Sequence, residues 1–333
     1  MGRPTGTDTL RGDHLCSALV LDSLAVRLSP SAPYPEARAL LRDSDFRAAD
    51  AADPQARTRL LRLYAAQAKQ PVPADPADPT ASAVRAFQLI EQGWNVRGGG
   101  RARTVTARQF RVFHRYLAEA ERVLHAALTR TPHDLALWTA SLLTVRGLEM
   151  GLDHARYRYA CLSAFDPHHL PAQSQLLQQL CPKWSGSWPE AEAFVRAAMR
   201  AAPEGAHNAV LLVDYYLEKA DFRGLRADIE EAAGRSVCHP AFARTVGWVQ
   251  VVNSFALAFS KVGDRANARR MFTMLGPYAS EYPWSTQSAE VTAAFRQARM
   301  RAFGLSGGLP GIADLLLVAA APAVGVVRRY VTR

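Results

Sequence analysis

Lysine is nearly absent from this chain. Of its 333 residues only Lys69, Lys183, Lys219 and Lys261 are lysines, so the formal net charge of +10 is carried by arginine. Arginine and alanine richness is what GC-rich coding produces, and the global charge alone therefore argues for no sequence-specific nucleic-acid partner. Cysteine is scarce too: Cys16, Cys161, Cys181 and Cys238 show no C-x-x-C spacing, which speaks against a zinc ribbon or disulfide scaffold and for reduced, mostly buried thiols. No apolar run reaches the ~20 residues a membrane span requires; the C-terminal stretch Leu315 to Val327 has 13, between Asp314 and Arg328. Met1 to Thr9 lacks the basic start and apolar core of a signal peptide, so cytoplasmic residence is expected. H-E-x-x-H does not occur, and no cofactor is implied.

Acidic residues are also missing where it matters. None falls between Glu91 and Glu119, while Arg97, Arg101, Arg103, Arg108, Arg111 and Arg115 all lie there. A local field of one sign speeds encounter with acidic partners and is screened by salt. Arg97, Arg101, Arg103, Arg108 and Arg111 are therefore candidate binding residues, set against the plainer reading of a solvated arginine-rich face.

What the chain does have is a rhythm. Thr131-Pro132-His133-Asp134, Asp166-Pro167-His168-His169 and Ala202-Pro203-Glu204-Gly205 are proline turns 35 and 36 positions apart, each between alanine-rich amphipathic runs. A unit of about 34 residues made of helix, turn and helix is the signature of tetratricopeptide-like arrays. The expected fold is all-α, a tetratricopeptide-like α-solenoid of antiparallel helix pairs, each helix burying one stripe on its neighbours. Residues 1–69 read as an N-terminal helical or capping segment, with helices around 13–28, 35–42 and 54–69. Residues 70–80, rich in proline, read as a stiff connector, 81–303 as the repeat body, and 304–333 as an apolar tail with a basic end. Within the body, helices are expected over 104–130, 135–149, 221–233, 241–262 and 292–300, with Tyr157, Tyr159, Leu162 and Phe165 continuing the apolar face. The turn at Gly263-Asp264 pairs a left-handed helix end with an N-cap.

Two segments break the periodicity. Cys181-Pro182-Lys183-Trp184-Ser185-Gly186-Ser187-Trp188 resembles the Pro-Lys-Trp-Gly-Gly-Ser turn of a bacterial tetratricopeptide-like domain family of unknown function, and Gly93-Trp94-Asn95-Val96-Arg97-Gly98 is similar to its Gly-Trp-x-x-Arg-Gly element. The resemblance covers roughly Ala39 to Phe222; Ser185 stands where the family more usually has glycine. It implies a fold and no activity.

On the residues alone, Ser187 and Glu190 form an S-x-x-E helix cap. Lys183, Trp184 and Trp188, with Trp94 and Arg97, are candidates for a pocket that takes an acidic or planar ligand, because an indole offers a stacking face and one donor. The Gly98-Gly99-Gly100 run lacks the G-K-[ST] ending and the G-x-G-x-x-G spacing of phosphate loops and reads as a mobile solvent-facing loop. His133, His154, His168 and His169 have no carboxylate at ligand spacing, so no metal site is expected. Cys238-His239 is adjacent in sequence rather than presented across a cleft, and Cys238 reads as buried. The expected function is a non-enzymatic interaction scaffold for an acidic or extended protein segment. The alternatives are an enzyme or ligand-binding protein using the pocket, and an adaptor in peripheral membrane contact through 309–333.

Overall fold

The computed structural model describes residues 46–304 with the exception of 69, 101 and 277. The helices expected over 13–28 and 35–42, Arg101, and the tail from 305 onward lie outside the described residues. Among the described residues the regular structure is helical throughout: twelve α-helices, five short 3-10 turns and an isolated bridge between Asp75 and Asp78. The helices are α1 (Pro54–Gln67), α2 (Pro79–Arg97), α3 (Ala107–Arg130), α4 (Leu135–Gly147), α5 (Leu152–Ser163), α6 (Leu170–Leu180), α7 (Trp188–Ala201), α8 (Val210–Lys219), α9 (Arg226–Arg235), α10 (Trp248–Lys261), α11 (Arg265–Leu275) and α12 (Val291–Ala302). They fall into two compact units that divide within α7, between Phe194 and Val195.

In the first unit, helix starts follow from local chemistry. Asp53, Asp78 and Asp134 each accept backbone N–H groups of the turn they precede, and Pro54 and Pro79 occupy first-turn positions where no N–H is needed. Thr106 and Gln109 close a reciprocal capping box at the start of α3. The proline-rich connector is tied to α2: Val72 N–H donates to Gln88 Oε1 at 2.9 Å, and Gln88 Nε2 donates to the Gln70 carbonyl at 2.9 Å.

Helix α4 departs from the one-stripe expectation. Its sequence, Leu-Ala-Leu-Trp-Thr-Ala-Ser-Leu-Leu-Thr-Val, is apolar or small on every side, and all but Leu135, Trp138 and Arg146 of its residues are buried. It packs against α1, α2, α3, α5 and α6. Helix α3 keeps the expected pattern, with Phe113, Leu117, Ala120, Leu124 and Ala127 buried at alternating spacings of four and three. Helix α5 and the turn after it do not continue an apolar stripe: Leu162 is fully buried, but Tyr157 and, just beyond the helix, Phe165 are 66% and 56% exposed.

The second unit is also built around one enclosed helix. Helix α10 is buried from Trp248 to Phe259 except at Gln250, and packs on α8, α9, α11 and α12. It starts at Trp248 rather than 241 because Gly247, at φ 97°, turns the chain into the left-handed region that ends any helix. Helix α9 runs on through Gly234 to Arg235. Gly263 has φ 72°, and Asp264 caps α11 by accepting Asn267 N–H at 3.0 Å. Trp284 donates Nε1–H to Asn253 Oδ1 at 2.7 Å and packs on Phe272 and Phe295.

Each unit holds carboxylates whose ionised form is favoured by folding. Burial works to raise Glu121, but the hydrogen bonds from Arg158, at 2.7 and 2.8 Å, and from Thr144 outweigh it and hold the carboxyl below its ordinary 4.5. Burial likewise works against Asp228, and the Tyr216 hydroxyl and Arg196 outweigh it, keeping that carboxyl below 3.8. A lowered folded value contributes stability that is complete above the unfolded pKa and lost as pH falls through the folded one. Thermal melts should therefore be flat near neutrality and decline below about pH 4.5, with a shallower acid limb in Glu121→Gln. A melting temperature independent of pH between 6 and 2.5 would contradict these pairings.

Candidate functional site

Both irregular motifs of the sequence end on one cavity in the first unit. Its volume is about 570 Å³. Helix α2 brings Trp94 and Arg97 from its last turn, α3 brings Phe110 and Phe113, α4 brings Arg146, and the 3-10 turn Pro182–Trp184 brings Lys183 and Trp184. Trp94 stands edge-on to Phe113 with ring centroids 4.8 Å apart, and to Trp184 at 6.3 Å. The Arg97 guanidinium lies 5.3 Å from the Trp94 ring centre and 5.9 Å from that of Phe110; Arg146 lies 5.9 Å from both indoles. Such contacts hold a guanidinium at the mouth of an apolar pocket without neutralising it.

The glycine run forms part of the rim, and its carbonyls face a cation. Arg97 Nη1 donates to the Gly98 carbonyl at 2.9 Å and to that of Gly100 at 3.1 Å. A phosphate cradle needs backbone N–H groups turned inward, so this loop orients Arg97 rather than binding an anion itself. On the opposite rim Ser185 adopts a left-handed conformation, φ 80° and ψ 9°, a region that favours glycine. Counting charged side chains, the lining holds Arg97, Arg146 and Lys183 against Glu149.

The other candidates lie on a separate face. Arg108, Arg111, Arg115 and Arg122 are all exposed on α3, and their spacing of three, four and seven keeps them within one narrow stripe. Arg103 is exposed in the preceding 3-10 turn. Helix α3 has two carboxylates of its own, and both are engaged elsewhere: Glu119 accepts from Arg85 of α2 at 2.9 Å, and Glu121 from Arg158 of α5. Among the described residues the four stripe arginines have no ion pair or hydrogen bond. The structure thus splits the basic stretch, sending Arg97 to the cavity and Arg103, Arg108 and Arg111 to the surface.

Trp188 opens α7 and does not line the cavity. Ser187 Oγ accepts Glu190 N–H at 3.3 Å and donates to its carboxylate, so the cap expected there is present in its forward half. Arg146, Gln179 and Phe113 were not singled out by the sequence, because each sits at an ordinary position of a periodic helix.

Among the described residues, neither the hydroxyl–imidazole–carboxylate series nor the cysteine best placed for chemistry has a nucleophile's environment. Thr58, His169 and Asp166 follow one another in the order hydroxyl, imidazole, carboxylate, at 3.1 and 3.3 Å, yet His169 is fully buried and Thr58 donates its hydroxyl to the Pro54 carbonyl. This chain of groups fastens α1 to the start of α6. Cys238 is partly exposed, and burial pushes its thiol up, away from the thiolate a nucleophile requires. Among the described residues no group of three or more potential ligands is placed to hold a metal, and no helix is long and apolar enough to cross a membrane. No family model, curated protein or solved structure matches this chain.

Proposed function

We propose that this chain is a non-enzymatic adaptor of tetratricopeptide-like, helical-repeat kind that binds an acidic, extended protein segment along α3. The observation that carries this reading is the row Arg108, Arg111, Arg115 and Arg122, exposed and without an ion pair among the described residues, while both carboxylates of the same helix are drawn to arginines of other helices. From Arg108 to Arg122 is about 21 Å at the helical rise. An extended segment of about six or seven residues spans that distance, and its alternate side chains present carboxylates about 7 Å apart. A preformed helix face spares the partner's receptor the ordering cost of binding. The proline-turn rhythm and the resemblance of the two motifs support the repeat assignment, and a cytoplasmic place belongs to the same reading.

The test uses the full chain and a fluorescent glutamate-rich peptide. Replacing Arg108, Arg111, Arg115 and Arg122 together by Gln should weaken binding at least about tenfold at low salt, flatten its salt dependence and leave the melting temperature nearly unchanged. Duplex DNA of equal charge should bind only weakly and with a steep salt slope. Equal peptide affinity in the variant, or a variant that melts many degrees lower, would show the row to be structural.

A further inference from the structure

The cavity between α2, α3, α4 and the Lys183-Trp184 turn has a chemistry the arginine row does not use. Two of its lining residues hold buried polar atoms that find no hydrogen-bond partner among the described residues: the Trp94 Nε1 donor and the Gln179 Oε1 acceptor. Gln179 is only 5% exposed, and its amide is fixed because Nε2 donates to the Trp184 carbonyl at 2.6 Å, leaving Oε1 buried and without a partner among the described residues. A buried donor and a buried acceptor without partners each destabilise the protein, and a ligand removes that penalty by pairing with them. Around them stand four aromatic rings and three cations against one carboxylate.

Each part limits the occupant. The excess of positive charge selects an anion and disfavours an ammonium group. A fully ionised inorganic anion such as sulfate has only acceptors, and would leave Gln179 Oε1 facing further negative charge. The acceptor therefore calls for a neutral N–H on the ligand, and the Trp94 donor for a carbonyl or ring nitrogen. Walls of indole and phenyl ring, capped by guanidinium planes, suit a flat body, and about 570 Å³ lies within the range of small-molecule pockets.

We infer that the cavity is a binding site for a heteroaromatic anion whose ring edge carries both a hydrogen-bond donor and an acceptor, the chemical class that includes nucleoside monophosphates. The ring edge pairs with Trp94 Nε1 and Gln179 Oε1, and the anionic group lies toward Arg97, Arg146 and Lys183. This site is independent of the row on α3, and either can fail without the other.

Calorimetric titration of the full chain with AMP, GMP, CMP and UMP, alongside inorganic phosphate and benzoate, tests this directly. The expected result is saturable binding of at least one nucleotide with a change in tryptophan fluorescence, at least tenfold tighter than phosphate or benzoate and weakened by salt. Trp94→Phe retains a ring against Phe113 but lacks the donor, and should weaken that nucleotide at least fivefold with little change in melting temperature. Lys183→Gln, at an exposed position, should weaken it and reduce the salt dependence. Glutamate-peptide binding should be unchanged in both variants. The proposal is overturned if no nucleotide binds saturably, if phosphate binds as tightly as the nucleotides, or if Trp94→Phe melts as wild type does and binds the nucleotide with unchanged affinity. Should Trp94→Phe fail to fold, Lys183→Gln with an unaltered nucleotide affinity would overturn it equally.

Discussion

A single methyl group at position 186 is expected to unfold the part of the chain that carries the cavity. A Cβ there would stand 2.1 Å from the Leu180 carbonyl oxygen, 2.3 Å from its carbon and 2.6 Å from Leu180 Cα. These are backbone atoms at the end of α6, which is itself packed on α1, α4 and α5, so no side chain can swing aside to relieve the clash. The turn must open instead, breaking the Gly186 N–H bond to the Cys181 carbonyl and displacing Trp184. Gly186→Ala should cost more than about 3 kcal/mol, at the upper end for overpacking. The neighbouring change has the opposite sign. Ser185→Gly relieves a left-handed serine worth about 1–2 kcal/mol and gives back part of that through the freer unfolded chain, for a net gain of about 0.5–1 kcal/mol. Thermal melts of the two variants check both, and a Gly186→Ala protein melting with wild type would show the turn geometry to be wrong.

The second large effect concerns Arg57, which joins three elements in the first unit. Its Nε bonds Asp50 at 2.9 Å, Nη2 donates to Thr80 Oγ1 at 2.8 Å, and Nη1 pairs with Asp134 at 3.1 Å. Asp134 is buried and also caps α4, accepting Leu137 N–H at 2.9 Å. Arg57→Ala leaves that carboxylate buried without its counter-charge and should lower stability by about 3 kcal/mol, or some 6–12 °C in melting temperature. Arg57→Lys should rescue little, because a compact ammonium cannot reach three acceptors that the planar guanidinium contacts from three separate nitrogens. Adding Asp134→Asn to Arg57→Ala should recover about 1 kcal/mol or more, since asparagine still caps the helix but carries no charge. A double variant no more stable than Arg57→Ala would count against the stranded-charge explanation.

Much of the helical layout was legible in the sequence, for local reasons. Proline turns with aspartate caps mark helix ends through backbone chemistry that needs no tertiary information: α4 starts at Leu135 after Asp134, and α3, α5 and α7 end before the predicted proline turns. Trp94 and Arg97 stood out because they interrupt the helical rhythm, and Lys183 and Trp184 for the same reason; the structure brings the two interruptions to one cavity. Long-range choices were not legible. Local spacing offers Glu119 to Arg115 and Arg122 on its own helix, yet it is taken by Arg85, and Glu121 by Arg158. Those two pairings leave the arginine row without an ion pair among the described residues. Gln179 looks like any helical glutamine until the neighbouring turn fixes its amide. The enclosure of α4 follows from an all-round apolar sequence that resembles an amphipathic repeat helix when only one face is counted.

Photo-crosslinking of a glutamate-rich peptide to the full chain, mapped by mass spectrometry, tests the central claim most directly. Adducts should concentrate on residues 103–122 and fall away in rising salt and in the four-arginine variant. Adducts confined to other surfaces, or undiminished when Arg108, Arg111, Arg115 and Arg122 are replaced, would contradict binding along α3.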